Sequence, residues 1–423
     1  MKIPSAEKQT HSADKNRTAL SSALLNWYDE HGRDLPWRVR GAHPNPYMVW
    51  ISEIMLQQTT VKTVIPYFYR FLERFPDIFA LADADIEDVF LMWQGLGYYT
   101  RARKLHECAQ FLVQNNDGRF PETYAELLKL PGIGPYTAAS ISSLAFDKRE
   151  AVVDGNVIRV ISRLYGITEN TAVSLPEIKE KAQNLMSETR AADYTSAIMD
   201  LGATVCTPKN PDCSACPFEK ECEALAQNLV EEIPKIEKLQ KIGKTGKLFW
   251  IENESGDVLI RKRTEKGLLH GLTEFPWEAA AGGREMLGEI PFPITGADWI
   301  ETGKSVRHVF THINLTLEIY QTTVGSPQSF ENLKKYGGEF VSKDNFKDYP
   351  FSTLMKKVIK EIESDSDSKN KKTNHKKTNH KKTNHKKTNQ NKKVNQSEKT
   401  DQSKKTGQSK KSQNKTNKTL SDF

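Results

Sequence analysis

The chain has 423 residues, 37% hydrophobic and 27% charged, which is enough for two or three domains with a large core. No run of about 18 apolar residues occurs and the N-terminus lacks an apolar leader core, so the reading excludes a membrane span and a signal peptide and expects a cytoplasmic protein. The net charge of +7 is unevenly placed: residues 369–423 carry 18 Lys against 3 acidic residues, a net +15 that leaves the rest at −8. If the body binds a polyanion, it must do so through local patches and backbone amides rather than its overall field.

Residues 1–16 are expected to be a flexible N-terminus, and 17–225 read as mostly helical. Pro46 precedes a stripe of Tyr47, Trp50, Ile51, Ile54 and Met55 at helical spacing, which predicts an amphipathic helix. Glu53 and Gln57 are four apart in it and share a face flanking that stripe. A carboxylate among those neighbours is partly desolvated, which raises its pKa and suits a general acid; the alternative is an ordinary surface Glu. Ile86, Val89, Phe90 and Trp93 form a second stripe, with Asp85 as N-cap. In the run from Trp93 to Arg103, aromatic and Gln side chains could enter a base stack and Arg101 and Arg103 could hold phosphate; the alternative for Trp93 and Tyr99 is core packing. Cys108 reads as a helix-packing thiol.

The segment Leu130-Pro131-Gly132-Ile133-Gly134 lets the backbone turn tightly and expose amides ahead of a helix starting at Thr137. This is a phosphate-binding arrangement, or an ordinary turn. Residues 137–146 and 157–164 give two helices, and Asp154 is expected to cap the second. A carboxylate at a helix N-terminus has its charged form favoured. Glu53 as acid and Asp154 as standing anion are two carboxylates tuned apart, as cleavage through an oxocarbenium-like state requires.

Cys206, Cys213, Cys216 and Cys222 follow with spacing C-x6-C-x2-C-x5-C. Clustered thiols fit a reducing compartment, and four thiolates suit zinc or an iron–sulfur cluster. Residues 226–245 read as a polar linker. Residues 246–362 read as a smaller α+β domain, with strands at Leu248–Ile251 and Val258–Arg261 around a turn and again at Val306–Phe310 and Asn314–Tyr320. From 363 to 423 the chain is Lys/Asn-rich and KKTNH recurs at 371–375, 376–380 and 381–385. That segment cannot bury a core and is expected to be disordered; it either touches nucleic acid loosely or is simply solvated.

The glycine hairpin followed by the cysteine spacing resembles the endonuclease III superfamily of DNA glycosylases, over residues 20–225. The octet SEIMLQQT around Glu53 is similar to the signature of its MutY-type adenine branch. The resemblance implies a mostly α helix–hairpin–helix glycosylase domain at 17–225, with one 4Fe–4S cluster at 206–222, and a Nudix-like α+β domain at 246–362. It implies a monomer that acts on double-stranded DNA containing A:8-oxoguanine or A:G, and a nucleoid association through that DNA.

By the same resemblance, Glu53 protonates adenine and Asp154 stabilises the sugar cation, supported by Tyr136 and Asn156. Tyr136 stands where bifunctional relatives carry a Schiff-base lysine, which implies a glycosylase without lyase activity. Trp37 and Arg38 line the adenine pocket, with Ser196 at its edge where relatives often carry Glu or Gln. Gln57 and Gln58 fill the gap left by the flipped base, and Thr59 beside them contacts substrate or DNA. Leu96, Gly97 and Tyr98 carry the wedge beside the lesion. Gly132, Gly134 and Lys209 meet phosphate. Phe310, Thr311 and His312 match the loop that reads 8-oxoguanine, with Thr where Ser is usual; the added methyl stiffens χ1. Arg284–Glu289 is only a fragment of a diphosphatase box, so no diphosphate hydrolysis is expected. The competing readings are a thymine-mismatch DNA glycosylase and a non-catalytic DNA-binding iron–sulfur protein.

Overall fold

The computed structural model describes residues 6–39, 43–237, 240–279, 298–325 and 338–364. The 284–289 fragment and the repeats of the tail lie outside the described residues.

Helix α1 (Ala6–His31) begins inside the segment expected to be a flexible N-terminus. Residues 6–16 contain no Gly or Pro, so nothing local stops the helix from extending backward. Then come α2 (Pro46–Leu56), α3 (Val61–Arg74), α4 (Ile78–Ala82), α5 (Ile86–Trp93), α6 (Thr100–Asn116) and α7 (Tyr124–Leu127). They are followed by α8 (Pro135–Phe146), α9 (Gly155–Leu164), α10 (Thr171–Leu185), α11 (Ala191–Thr204) and α12 (Glu223–Ala226).

These helices build two cores. One joins α2 to α8 around Trp50, Phe68, Phe71 and Trp93. The other packs Leu20, Leu24 and Tyr28 of α1 against α9, α10 and α11. The chain therefore returns on itself, and a seam opens between the two cores.

Helix α2 departs from the amphipathic expectation. Apart from Met48, every residue from Tyr47 to Met55 is buried, Ser52 and Glu53 included. A helix covered all round is a central helix, so its one carboxylate is carried inside with it. Pro46 holds the N1 position and Asn45 accepts a bond from the Tyr47 amide. The helix ends at Leu56, so Gln57 leaves the face it was expected to share with Glu53. At α5, Asp85 holds the N-cap position but its side chain makes no capping bond.

The second domain is a sheet. Strands β1 (Ile242–Asn253), β2 (Val258–Lys262), β3 (Thr273–Glu274), β4 (Trp277–Ala279), β5 (Ile300–Val309), β6 (Ile313–Val324) and β7 (Gly338–Val341) are ordered β3-β2-β1-β6-β5 along its main path. Strand β4 pairs with β1 and β7 with β2. Strands β1 and β6 run parallel over twelve residue pairs and the other pairings are antiparallel. Leu248, Trp250 and Val258 face a large core with Leu354, Met355 and Val358 of helix 353–364. Phe249, Ile251 and Leu259 face a smaller cluster on the opposite side. The apolar run at Leu248–Ile251 is unbroken because both faces are covered.

The segment expected to be a linker is partly docked. Ile233 is buried, Lys235 bridges to Asn170, and β1 already begins at Ile242. An apolar side chain and satisfied backbone groups outweigh the Lys-rich composition on which that expectation rested.

Candidate active site

A cavity of about 540 Å³ lies at the seam between the two helical cores. Glu53 reaches it from the middle of α2 and is only 4% exposed. The Tyr136 hydroxyl, from the first turn of α8, donates to Glu53 Oε2 at 2.8 Å. Burial pushes the Glu53 carboxyl up, the bonds from Tyr136 and Ser140 pull against that, and the nearby Asp154 carboxylate pushes it further up. The Tyr136 hydroxyl is itself held well above its ordinary value by burial and by Glu53. Glu53 is therefore placed to keep a proton.

Asp154 caps α9. Its Oδ1 accepts from the Val157 amide at 2.8 Å and its Oδ2 from Asn156 Nδ2 at 2.9 Å. Asn156 is anchored in turn by Arg159, whose Nη2 donates to Asn156 Oδ1 at 2.9 Å. Trp37, Arg38, Thr59, Ser196, Tyr136, Asp154 and Asn156 share this cavity with Glu53, although they come from distant parts of the chain.

Two side chains essential to this arrangement were not singled out in the sequence. Asp200 is fully buried on α11, one turn after Ser196. Its carboxylate takes Arg38 Nη1 and Nη2 at 2.7 and 2.9 Å and Arg33 Nε at 2.8 Å. Burial alone would raise the Asp200 carboxyl, but the two guanidinium groups bring it below the ordinary carboxylate range. Arg33 also lines the cavity. The signal was present in the two arginines of RDLPWR, which need a counter-charge if buried, but only the fold shows which carboxylate supplies it.

A second cavity, of about 550 Å³, lies between the helical domain and the sheet domain. Gln57, Gln58, Gly97, Tyr98, Phe310, Thr311 and His312 line it together. The Tyr98 hydroxyl and Thr311 Oγ1 are 2.9 Å apart, a hydrogen bond between the domains. Tyr98 and Gln58 have positive φ, +49° and +57°, a backbone that side-chain-bearing residues adopt only under constraint. His308 packs edge-on against Phe310 at 4.5 Å, and burial lowers its pKa to about 4, so it is neutral. Lys241 Nζ holds the Phe310 carbonyl at 3.1 Å.

Some expectations are redirected. Leu96 is buried in the helical core and offers only its carbonyl, to Arg101. Arg101 is not a phosphate ligand: it binds the carbonyls of Ile54, Met55 and Gln57 at the end of α2 and those of Leu96 and Gly97. Arg103 donates to the His270 carbonyl and Gln94 to those of Tyr349 and Phe351, so both are engaged by the sheet domain. Those bonds were hidden because their partners lie in the other domain.

At the hairpin, Gly132 has φ +74°, and a Cβ there would meet Lys104 Cβ at 2.5 Å, so glycine is required twice over. Gly134 has ordinary φ and open space beside it, directly before Pro135 at the start of α8. That start is two residues earlier than expected, because Pro fits the first helical position.

The four cysteines line one small cavity with Arg163. Arg163 Nη1 lies 3.4 Å from Cys206 Sγ and also donates to the Thr207 carbonyl, while Nε and Nη2 bind the carbonyls of Ile233 and Pro208. Among the described residues, no three His, Cys, Asp or Glu side chains converge closely enough to hold a single metal ion. Lys209 is exposed on the loop that these contacts shape, and its carbonyl accepts from Thr207 Oγ1. Among the described residues, no helix is long and apolar enough to cross a membrane.

Comparison with known proteins agrees with this layout. Residues 51–187 match the family described as HhH-GPD superfamily base excision DNA repair protein, and 247–361 match a NUDIX domain. The chain is 35% identical to the adenine DNA glycosylase of Buchnera aphidicola subsp. Baizongia pistaciae, over 74% of this chain and 88% of that protein. It is 34% identical to the adenine DNA glycosylase of Homo sapiens, over 81% of this chain and 74% of that one. A solved structure of a thermostable thymine-DNA glycosylase is similar at 29% identity, with a TM-score of 0.46, covering 51% of this chain and 99% of that one.

Proposed function

Since the chain belongs to the adenine DNA glycosylase family and is thus a base-excision-repair enzyme that removes adenine from DNA, we propose that its substrate is adenine opposite 8-oxoguanine or guanine and that Glu53 and Asp154 carry the reaction. The observation that carries this reading is the buried Glu53 carboxyl, hydrogen-bonded to Tyr136 and facing the same cavity as Asp154. Adenine leaves the stack and enters the cavity between the two helical cores. Trp37, Arg38 and Thr59 bound it, with Ser196 at its edge. Glu53 gives its proton to the base and the C–N bond to the sugar breaks. The Asp154 carboxylate, held by the Val157 amide and Asn156, stabilises the positive sugar. Glu53, now ionised, takes a proton from the water that completes hydrolysis. The Tyr136 hydroxyl offers no amine for a Schiff base, so the product is an abasic site with an intact strand.

Gln57, Gln58, Gly97 and Tyr98 support the duplex where adenine has left, and Phe310, Thr311 and His312 read the opposite base. Gly132, Gly134 and Lys209 meet the DNA backbone. Cys206, Cys213, Cys216 and Cys222 fit a 4Fe–4S cluster: an all-thiol set around one cavity, with an arginine beside a sulfur. The cluster, when bound, supplies the structural tie that shapes the Lys209 loop. The enzyme acts as a monomer in the cytoplasm.

The test is base release from A:8-oxoguanine, A:G and T:G duplexes by the wild type and by Glu53→Gln. The expected outcome is adenine release with 8-oxoguanine favoured, and a loss of about 10²- to 10⁴-fold in the variant, with duplex binding kept. Adenine release by Glu53→Gln at the wild-type rate removes the assigned acid. Release from T:G in preference to A:8-oxoguanine removes the assigned substrate.

A further inference from the structure

We propose that Gln94, together with Arg103, is a positioning residue for opposite-base discrimination, fixing the sheet domain against the turn that carries Tyr98. This rests on the reading of residues 310–312 as the loop that inspects the opposite base.

Gln94 follows α5 directly, and its carboxamide nitrogen donates only to the other domain. Nε2 donates to the carbonyls of Phe351 at 3.1 Å and Tyr349 at 3.2 Å. An amide nitrogen has two hydrogens, so this pair of bonds uses its full donor capacity. The backbone of Gln94 is fixed as well, because its carbonyl accepts the Tyr67 hydroxyl at 3.0 Å. Hook and base are therefore both tied.

The same turn leads to Tyr98. Gly95 and Gly97 have φ +109° and +74°, and Trp93 Nε1 donates to the Gly97 carbonyl at 3.1 Å. Arg101 then joins the turn to the last carbonyls of α2, the helix that bears Glu53. A displacement of the sheet domain at Tyr349 or Phe351 is thus felt first at the turn, between the Tyr98–Thr311 contact on one side and the end of the Glu53 helix on the other.

Arg103 supplies the second point of attachment. Its guanidinium lies over the Phe90 ring and donates to the His270 carbonyl. The neighbouring Gly271 has φ +81°, and a Cβ there would come within 2.6 Å of Arg103 Nη2, so the backbone of the sheet domain approaches as only glycine allows. Leu272 then sits inside the helical core. With the Tyr98–Thr311 bond and the Lys262–Glu87 ion pair, these attachments define an orientation where one alone would leave a pivot. Neither residue lines either cavity, so their effect on the reaction is indirect.

The experiment is single-turnover adenine excision from A:8-oxoguanine and A:G duplexes by the full-length protein. It compares wild type, Gln94→Leu, Arg103→Met and the double variant, with thermal unfolding measured alongside. The expected result is a fall of about tenfold in the A:8-oxoguanine to A:G rate ratio in the double variant, with the A:G rate within about threefold of wild type. A parallel fall on both duplexes, or an unchanged ratio, overturns the proposal; the first would mean that these residues only support the fold. A wild-type ratio near one overturns it differently, by removing the reader assignment on which it rests.

Discussion

The two large cavities have nearly the same volume, about 540 and 550 Å³, and opposite construction. The one at the helical seam is charged and cross-satisfied within a single domain: Glu53 with Tyr136, Asp154 with Asn156, Asp200 with Arg33 and Arg38. The one between the domains is lined largely by aromatic, imidazole, leucine and hydroxyl side chains, and its two walls meet in the Tyr98–Thr311 hydrogen bond between loops. Chemistry demands groups whose protonation is fixed before the substrate arrives, and buried networks fix it. Inspection of a base demands surfaces that can close on one partner and open for another, and loops joined by few hydrogen bonds permit that.

The largest effect that would break this contrast lies in the charged cavity. Asp200→Asn leaves two guanidinium groups with half of their acceptor, and breaking a buried ion pair by removing one partner costs about 3–5 kcal/mol. The expected outcome is a fall in Tm on the order of 10 °C by thermal unfolding, with adenine excision from A:8-oxoguanine and A:G lowered alike. A variant as stable as wild type would show that the network is not what holds the seam.

A smaller effect, of opposite sign, belongs to Glu53. Its carboxyl is raised by burial, so the folded protein holds a proton there that the unfolded chain releases above about pH 4.3. Stability therefore falls as pH rises from that value towards the folded one, and is unaffected below it. Glu53→Gln removes this cost while keeping an acceptor for Tyr136. The expected outcome is a variant whose Tm advantage over wild type grows as pH rises above about 4.3 and levels off once the wild-type carboxyl has ionised in the folded protein. An advantage independent of pH would mean that packing, not ionisation, separates the two.

The smallest effect belongs to the cavity between domains. Thr311→Val removes one hydroxyl and its bond to Tyr98 and preserves the branched shape. Losing a partly exposed neutral hydrogen bond costs about 1 kcal/mol, so Tm should move by only a few degrees. The ratio of excision rates on A:8-oxoguanine and A:G should fall, by less than about tenfold. If both rates fall together, the hydroxyl supports the fold rather than the reading.

The same contrast explains what the sequence disclosed. Asp154, Gly132 and the cysteine quartet were legible because each sits in a local pattern whose physics is short-range: a cap, a tight turn, a ligand spacing; Glu53 stood out through the resemblance of the octet around it rather than through its helix face. The strands around 248–251, 258–261, 306–310 and 314–320 were legible from their apolar runs and the turns beside them. Asp200, Gln94 and the true partners of Arg101 and Arg103 were not, because most of those partners lie 44 to 257 positions away. An arginine beside aromatics reads equally well as a phosphate ligand and as a carbonyl clamp until the fold supplies the carbonyls. The complete burial of α2 was also hidden. A stripe at helical spacing reports one covered face and says nothing about a second core closing over the other.

The parallel pairing of β1 with β6 has a consequence during synthesis. β1 is complete at Asn253, whereas its twelve-pair partner ends at Val324. At about 5–20 residues per second, the ribosome takes on the order of ten seconds to deliver that partner. Throughout that interval the run Leu248–Ile251 has β2 on offer but lacks its longest neighbour, while the helical domain encoded ahead of it has already emerged. Such a waiting strand is a template for association with other nascent chains. Lys244 and Lys247 interrupt it on the approach to the apolar run, a charge pattern that keeps an unfinished strand in solution until its mate arrives.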